Sequence, residues 1–284
     1  MKTYNEIYLS TRNILKQRGI EAYGLEAKLI TAGAAGKTVP ELLRDLNLYT
    51  TEDICSKAME YTSRRLRGEP IAYISGTWEF YGLPMLVTPD VLIPRADTEV
   101  LVDAAKEILT GRMMDARILD LCCGSGCITC AIGHELPASK LLAVDISALA
   151  LEVCKKNLAI NRLSSRVICM QADATCSPPL GIGEFDMIVS NPPYVPTDEI
   201  QTLDTSVKDY EPVWALDGGK DGLDFYRSII KYWNVLLKDN GYILFEVGED
   251  QAESVAEMLM CAGFSSVTTR KDTMGTDRVV MARK

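Results

Sequence analysis

The stretch that decides the fold is RILDLCCGSGCIT, residues 117–129. Its first part, 117–122, is a short apolar run of the kind that forms a buried strand. A tight turn containing Gly124 and Gly126 follows, and the apolar residues after the turn predict a helix. A strand, a glycine turn and a helix in this order indicate the start of a βαβ unit. Because glycine carries no Cβ, a ligand can approach the backbone of this turn closely.

Six more apolar segments extend this unit into a sheet. The first five of the seven strands alternate with helical segments, which favours a parallel sheet with helices on both faces. The last two are too close in sequence for a crossover helix, so we expect them to form an antiparallel hairpin. A doubly wound, mostly parallel α/β sheet of this kind binds ligands at the carboxyl ends of its strands. The predicted strands are 117–122, 140–145, 166–171, 185–190, 241–247, 264–270 and 277–282.

The chain before the sheet has the periodicity of helices, with apolar residues on one face of each of four segments. The pattern changes where Trp78 and Phe80 alternate with polar residues and Gly82 supplies a turn, which is typical of a β-hairpin. On the first helix the predicted buried face holds Tyr4, Ile7, Tyr8, Ile14 and Leu15. The predicted domains are a small helical bundle over 1–72, a β-hairpin linker over 73–92 and the α/β domain over 93–284.

Length and composition restrict the function classes. The chain has 284 residues, 47% of them hydrophobic and 24% charged, which excludes disorder and miniature disulfide scaffolds. Its net charge is -9, and since residues 1–75 carry eleven basic and nine acidic side chains, the remainder holds -11. We therefore expect no nucleic-acid partner. No apolar run approaches the ~18 residues of a membrane span, so we expect no membrane partner and a soluble, cytoplasmic protein.

The cysteines and the histidine bear on metal binding. Nine cysteines, four of them between 122 and 130, fit free thiols in a reducing compartment better than a disulfide framework. Cys122, Cys127 and Cys130 have the C-x4-C-x2-C spacing of some iron–sulfur proteins, but as parts of a buried strand and a helix they also fit as small core residues. The only histidine, His134, excludes a multi-histidine metal site. We expect no metal.

Carboxylates at the ends of the predicted strands indicate a nucleoside site beside the glycine turn. Asp145 ends the second strand, nineteen residues after Gly126, where a carboxylate can accept hydrogen bonds from two ribose hydroxyls. The third glycine of a dinucleotide site is replaced by Thr129, which disfavours pyrophosphate. Asp120 would repel phosphate and suits the ammonium and sulfonium charges of S-adenosylmethionine. Asp173, after the third strand, could accept from an adenine amino group.

The fourth strand runs directly into Asn191-Pro192-Pro193-Tyr194, which we call the proline corner. The two prolines remove N–H donors and fix the chain direction, so the oxygens of Asn191 and Pro192 can face a ligand. Together they can accept both hydrogens of a planar NH2 group, on which Tyr194 can stack. A planar nitrogen is a poor nucleophile because its lone pair is delocalised. Acceptors that hold its two hydrogens favour its attack on a methyl group. We predict Asn191, Pro192 and Tyr194 as catalytic and all four residues, Pro193 included, as substrate-binding.

The chain resembles the class I S-adenosylmethionine-dependent amino-methyltransferases that carry an Asn-Pro-Pro-Tyr motif, and within them the HemK/PrmC-type family of release factor glutamine methyltransferases. The resemblance implies a helical substrate-binding domain, S-adenosylmethionine as cofactor, and class 1 peptide chain release factors as substrate. The glutamine of their Gly-Gly-Gln motif would be methylated on its side-chain amide nitrogen. The resemblance spans nearly the whole chain and rests on residues 68–74, 76, 92–95, 98–99, 120–128, 190–194, 210–212, 221–224, 245–248 and 277–278.

The resemblance also implies cofactor contacts along the glycine turn and after the third strand. This family usually has Gly-Thr where this chain has Cys122-Cys123, which tightens the first turn, and often a large apolar residue where it has Ala174. The positions that match the cofactor-binding residues of the family are Asp120, Cys122, Cys123, Gly124, Ser125, Gly126, Asp145, Asp173, Ala174 and Asn191.

Two other hypotheses use the same features. An adenine amino-methyltransferase acting on DNA or RNA would need the same proline corner, since adenine also presents a planar NH2, but a part of the chain with a net charge of -11 and no basic stripe lacks phosphate contacts. A non-enzymatic nucleoside-sensing or iron–sulfur module would be coloured or would lack transfer activity. The leading hypothesis is a monomeric protein-glutamine N-methyltransferase.

Overall fold

The computed structural model describes residues 2–110 and 115–284, which form two compact units. The first, here called the helical unit, contains the residues up to Thr77 together with Asp204–Tyr210. The second, the sheet unit, contains Trp78–Leu203 and Glu211–Lys284. Among the described residues, none of the helices combines the length and the apolar character needed to cross a membrane.

The helices and strands are numbered in chain order. They are α1 (Tyr4–Gln17), α2 (Tyr23–Ala35), α3 (Val39–Arg44), α4 (Glu52–Leu66), α5 (Ile71–Ser75), β1 (Thr77–Phe80), β2 (Leu83–Leu86), α6 (Glu99–Leu109), β3 (Arg117–Leu121), α7 (Cys127–Glu135), β4 (Lys140–Asp145), α8 (Ala148–Ile160), β5 (Val167–Gln171), β6 (Phe185–Ser190), α9 (Thr205–Lys208), α10 (Asp224–Tyr232), β7 (Leu237–Glu246), α11 (Ala252–Cys261), β8 (Ser265–Lys271) and β9 (Asp277–Arg283). Short 3-10 turns lie at Ala96–Thr98, Ile200–Thr202, Val213–Ala215 and Asn234–Leu236.

Threonines begin three helices of the helical unit. Thr3 and Thr38 each form a capping box with a glutamate three residues later, in which each side chain accepts from the backbone N–H of the other residue. Thr51 accepts from the N–H of Ile54 at the start of α4. Each cap satisfies backbone N–H groups that have no partner inside the helix. The sequence thus fixes where these helices start.

Arg65 of α4 and Glu26 of α2 form a largely buried ion pair of 2.7 Å between Nε and Oε2, which joins two helices of the helical unit.

The helical unit also includes a segment from late in the chain. Tyr210, which follows α9, donates its hydroxyl to the carbonyl oxygen of Arg67 at 2.9 Å. Residues 204–210 therefore belong to the fold of this unit although they lie far from it in sequence.

Seven strands form one sheet in the described part of the sheet unit, in the order β5-β4-β3-β6-β7-β9-β8. Strands β3 to β7 pair in parallel, whereas β9 is antiparallel to both β7 and β8. This confirms the predicted fold class, including the antiparallel last pair. The chain crosses to β4 on one side of β3 and returns to β6 on the other, so the topological switch point lies between β3 and β6.

Strand β7 begins four residues before the predicted 241. Leu237 pairs with Phe185, the register then shifts, and pairing resumes where Tyr242 meets Met187. Asn240 within this interruption has a left-handed φ of 65°. The polar residues between the two paired parts have no strand periodicity, which is why the sequence pattern misses this extension.

Apolar residues of alternate strand positions enter two cores, one on each face of the sheet. Ile118 packs with α6, α7 and α8, whereas its neighbour Leu119 packs with α10 and α11. The β1–β2 hairpin joins the first of these cores through Phe80 and Met85. The side chain of Asn157 in α8 binds the end of this hairpin: it accepts from the N–H of Leu86 at 2.6 Å and donates to the carbonyl oxygen of Leu86 at 2.9 Å. The sheet is therefore packed on both faces, which fixes the positions of the carboxyl ends of its strands.

Candidate active site

The turn after β3 has the tight geometry that its glycines predict. Cys122, Gly124 and Gly126 have left-handed φ angles of 60°, 52° and 77°. A Cβ at Gly126 would stand 2.5 Å from the sulfur of Cys154, so only glycine fits there. Cys122 has the same left-handed backbone as the glycines, which costs free energy for any residue that carries a Cβ. The backbone of the turn is thus relaxed at its glycines and strained at Cys122.

Asp145, at the end of β4, is fastened to this turn. Its Oδ2 accepts from the backbone N–H of Gly124 at 2.8 Å, and its Oδ1 accepts from that of Ser147 at 2.9 Å. Burial raises the pKa of this carboxyl group, while the backbone hydrogen bonds oppose the rise. Each oxygen still has capacity to accept another hydrogen bond.

Asp173, after β5, caps its own turn. Its Oδ1 accepts from the N–H and the hydroxyl of Thr175, at 2.8 and 2.6 Å, and these bonds lower the pKa of the carboxyl group. Its Oδ2 receives the thiol of Cys176 at 3.5 Å. The neighbouring Ala174 is buried against the core of α10 and α11.

Asp120 lies beneath the glycine turn and is fully buried. Its Oδ2 accepts from the hydroxyl of Thr129 at 2.5 Å, and its Oδ1 has no hydrogen-bond partner in the described part of the chain. Burial raises the pKa of Asp120 to about 7. Such a carboxyl group can be neutral or charged near neutral pH, depending on what lies above it.

The proline corner follows β6 directly. Asn191 donates its side-chain N–H to Thr98 Oγ1 at 3.3 Å, and the two prolines after it are buried. Gln251 donates its side-chain N–H to the carbonyl of Tyr194 at 2.9 Å, and burial raises the pKa of the Tyr194 hydroxyl to about 12. The corner is thus held on both sides by side chains from other elements.

A cavity at the carboxyl ends of β3 to β6 brings most of the predicted site residues together. Four others are not part of its wall: Asp120 beneath the turn, Gly126 within the turn, and Pro192 and Tyr194 within the corner. The predicted residues that line the cavity are Cys122, Cys123, Gly124, Ser125, Asp145, Asp173, Ala174, Asn191 and Pro193.

Other cavity residues were not predicted as site residues. Arg95 and Thr98 come from the segment before α6, where the motif residues gave no sign of their role. Trp214 comes from the 3-10 turn Val213–Ala215 and Phe225 from the start of α10, and no motif marked either residue. Arg95 is paired with the buried Glu211, which also accepts from the N–H of Ile93 at 3.2 Å. Only contacts between distant segments identify these residues.

The cysteines with iron–sulfur spacing do not form a cluster. Among residues 2–110 and 115–284, no group of three or more histidine, cysteine, aspartate or glutamate side chains could hold a metal ion. Cys127 and Cys130 are buried in α7, and the described cysteines are free thiols. The sulfur atoms of Cys154 and Cys169 are 3.8 Å apart, too far for a covalent bond. His134 is exposed near the end of α7.

Comparison with known proteins places the chain in a family. Residues 6–76 match the PrmC N-terminal domain, and residues 97–207 match the methyltransferase small domain. A release factor glutamine methyltransferase of Geobacter sulfurreducens is 39% identical over 96% of this chain and 94% of the relative. One from Clostridium botulinum is 38% identical over 98% of both chains. The solved hMettl16 catalytic domain shares the fold, with a TM-score of 0.56, 18% identity and 82% of each chain covered.

The sheet order, the glycine turn and the matched domain define an α/β methyltransferase. The identity to curated relatives extends through both units, from the helical residues to the last strands. The chain belongs to the release factor glutamine methyltransferase family.

Proposed function

We propose that this protein transfers the methyl group of S-adenosylmethionine to the side-chain amide nitrogen of the glutamine in the Gly-Gly-Gln motif of class 1 peptide chain release factors. The products are S-adenosylhomocysteine, the N-methyl amide and one proton released from the amide nitrogen. The observation that carries this proposal is the cavity that unites the glycine turn and Asp145 with Asn191. The names of the relatives support the choice of glutamine and release factors. Translation termination, the process in which release factors act, would then be its context, in the cytoplasm.

The residues around the turn fit a nucleoside-bearing cofactor. The absence of a side chain at Gly124 leaves the backbone open to a ligand, and Asp145 can accept from ribose hydroxyls in addition to its two backbone donors. Cys122, Cys123 and Ser125 would line the cofactor, with Ala174 and Asp173 towards its base. The unpaired Asp120 oxygen supplies negative potential beneath the turn, which suits a cationic methyl donor.

The proline corner would hold the reacting nitrogen. When bound, S-adenosylmethionine supplies an electrophilic methyl group on sulfur. The Asn191 side-chain oxygen and the Pro192 carbonyl would each accept one hydrogen of the substrate amide, and Pro193 would close the cavity wall. Their negative ends would stabilise the positive charge that the nitrogen gains during transfer. Tyr194 would pack against the plane of the amide and remain protonated, in keeping with its raised pKa.

The helical residues 1–72 would serve as the substrate-binding domain, with 73–92 as linker and 93–284 as the catalytic domain. A glutamine side chain is too small to select one protein, so contacts elsewhere on the release factor must supply orientation. We propose that a monomer suffices, because all the residues assigned to the cofactor and to the amide come from one sheet unit.

The test uses the full chain, S-adenosylmethionine with an isotopically labelled methyl group, and a bacterial class 1 release factor. Peptide mass spectrometry should find one added methyl group on the Gly-Gly-Gln glutamine, and a release factor with that glutamine changed to alanine should gain none. Label in DNA or RNA in place of the release factor would instead identify an adenine amino-methyltransferase. Label on the alanine variant would refute the glutamine as acceptor.

A further inference from the structure

A buried glutamate lies beside the proline corner and has no part in the chemistry described above. Glu246 ends β7, the strand next to β6, and Ser190 pairs with Phe245, so Asn191 and Glu246 occupy neighbouring positions at the carboxyl edge of the sheet. The Glu246 side chain is 2% exposed. Its Oε2 has no hydrogen-bond partner in the part of the chain that the structure describes. A buried, unpaired carboxylate oxygen is costly, which requires an explanation.

The surroundings of Glu246 point to Asn191. Burial raises the pKa of Glu246 to about 7, while the nearby side chains of Thr98 and Asn191 lower it. Thr98, 2% exposed, itself accepts from Asn191 Nδ2 at 3.3 Å. The nitrogen of the Asn191 side chain therefore faces the accepting oxygen of Thr98, next to Glu246.

A side-chain amide can be turned by half a rotation, which exchanges its oxygen and its nitrogen. Only one orientation presents the oxygen to a substrate NH2 group. Thr98 Oγ1 accepts from Asn191 Nδ2, and in its ionised form the Glu246 carboxylate only accepts, so the side of Asn191 that faces these two groups is the nitrogen. The oxygen is then left for the cavity.

We propose that Glu246, together with Thr98, is a positioning residue that fixes the Asn191 side chain with its oxygen towards the substrate amide. Glu246 is not part of the cavity wall, so it acts through Asn191 and not on the substrate. This role rests on the proposed function for its consequence in catalysis, whereas the orientation itself can be measured without any reaction.

Charged and titratable groups from other elements also face Glu246. Arg278 of β9 lowers the pKa of Glu246 and Asp97 raises it, and these two side chains form an ion pair of 3.6 Å. The hydroxyl groups of Tyr194 and Tyr226 lie within electrostatic range of the same carboxyl group. Arg278 is also paired with Asp272 at 3.2 Å, so its positive charge is shared between two aspartates. It does not occupy Glu246 Oε2, which stays available to accept a hydrogen bond.

The kinetic test compares Glu246→Ala, Glu246→Gln and Thr98→Val with a matched control, Glu249→Gln, on the exposed residue three positions further on. With a release factor as substrate, Glu246→Ala and Thr98→Val should lower kcat by about 10- to 100-fold, because a misoriented acceptor acts in the transition state. KM for S-adenosylmethionine should change little. Glu246→Gln retains an accepting oxygen and should recover part of kcat. Unchanged kcat in both Glu246→Ala and Thr98→Val would overturn the proposal.

An NMR measurement tests the orientation independently of turnover. In protein labelled with nitrogen-15 at asparagine, the side-chain NH2 signal of Asn191, assigned by its absence from Asn191→Asp, should shift with pH in the wild type and not in Glu246→Gln. A signal that does not respond to pH in the wild type would reject contact with Glu246. If the signal responds but no release factor is methylated, the positioning stands and the proposed substrate fails. Should Glu246→Ala not fold, Thr98→Val and Glu246→Gln still decide the outcome.

Discussion

Replacing Asp120 by asparagine should make the protein more stable at alkaline pH and change little at acid pH. Asp120 is fully buried, and one of its oxygens lacks a partner among the described residues, so its ionisation is opposed in the folded protein. Its pKa is raised from 3.8 to about 7. The free energy of unfolding is therefore highest below pH 3.8, the pKa of Asp120 in the unfolded chain, where the carboxyl group is neutral in both states. It falls as the pH rises through about 7, the pKa in the folded protein.

The magnitude follows from that shift. At about 1.4 kcal/mol per pKa unit, the total loss is about 4 kcal/mol, of which about 2–3 kcal/mol falls between pH values of about 5 and about 8. Asparagine has the shape of aspartate and cannot ionise, so Asp120→Asn should lack this loss. Ionisation of Glu246 also lowers the free energy of unfolding as the pH rises, because its pKa is raised to about 7 as well, but it does so equally in both proteins. The difference between the two proteins isolates Asp120.

Urea unfolding of the ligand-free protein, at closely spaced pH values, measures this difference. The free energies of unfolding of the wild type and Asp120→Asn should diverge as the pH rises, while Asp239→Asn, at an exposed position, should follow the wild type. Parallel curves for the wild type and Asp120→Asn would show that Asp120 is already charged at low pH and would refute the burial argument.

Three further predictions concern the site. Asn191→Ala should lower kcat by at least about 100-fold while leaving much of the S-adenosylmethionine affinity, as measured by calorimetry, since only the acceptor of the amide is removed; full activity would contradict its assignment. Asp145→Ala should mainly weaken cofactor binding, by about 2–4 kcal/mol for the lost hydrogen bonds to a charged group. Equal affinity in that variant would place the ribose anchor elsewhere. At Cys122, where φ is 60°, the Cys122→Gly variant should be about 0.5–1 kcal/mol more stable than Cys122→Ala in thermal or urea unfolding, the reverse of the usual order of glycine and alanine. If Cys122→Ala is the more stable of the two, the left-handed backbone at this position costs nothing.

The sequence predicts the sheet well because each strand carries its own signal. The apolar runs, the glycine turn and the acids at strand ends are local patterns, and parallel strands necessarily gather their carboxyl ends at one edge. These local patterns are therefore enough to predict that Asp145 and Asn191 lie near one another at that edge. The antiparallel last pair also follows from local information, since its linker is too short for a crossover.

Contacts between distant segments are not available from such patterns. Thr98 and Asn191 are 93 residues apart, and nothing in either segment indicates that their side chains meet. Periodicity also fails where a residue is only partly apolar: on α1 the predicted buried face includes Ile14, yet Ile14 is 38% exposed and Thr11 is buried in that helix. A threonine methyl group can fill a small gap that a larger side chain would not fit.

The path of the chain has a practical consequence for dividing this enzyme into parts. Because Tyr210 donates to the carbonyl of Arg67, a fragment that starts after Thr77 would carry a seven-residue segment, Asp204–Tyr210, whose native support has been cut away. That orphaned segment is followed at once by Glu211, which anchors Arg95 at the cavity. A simple N-terminal truncation would therefore remove the contact of Tyr210 as well as residues 1–72, so a lost activity could come from the proposed substrate-binding residues or from a displaced Glu211.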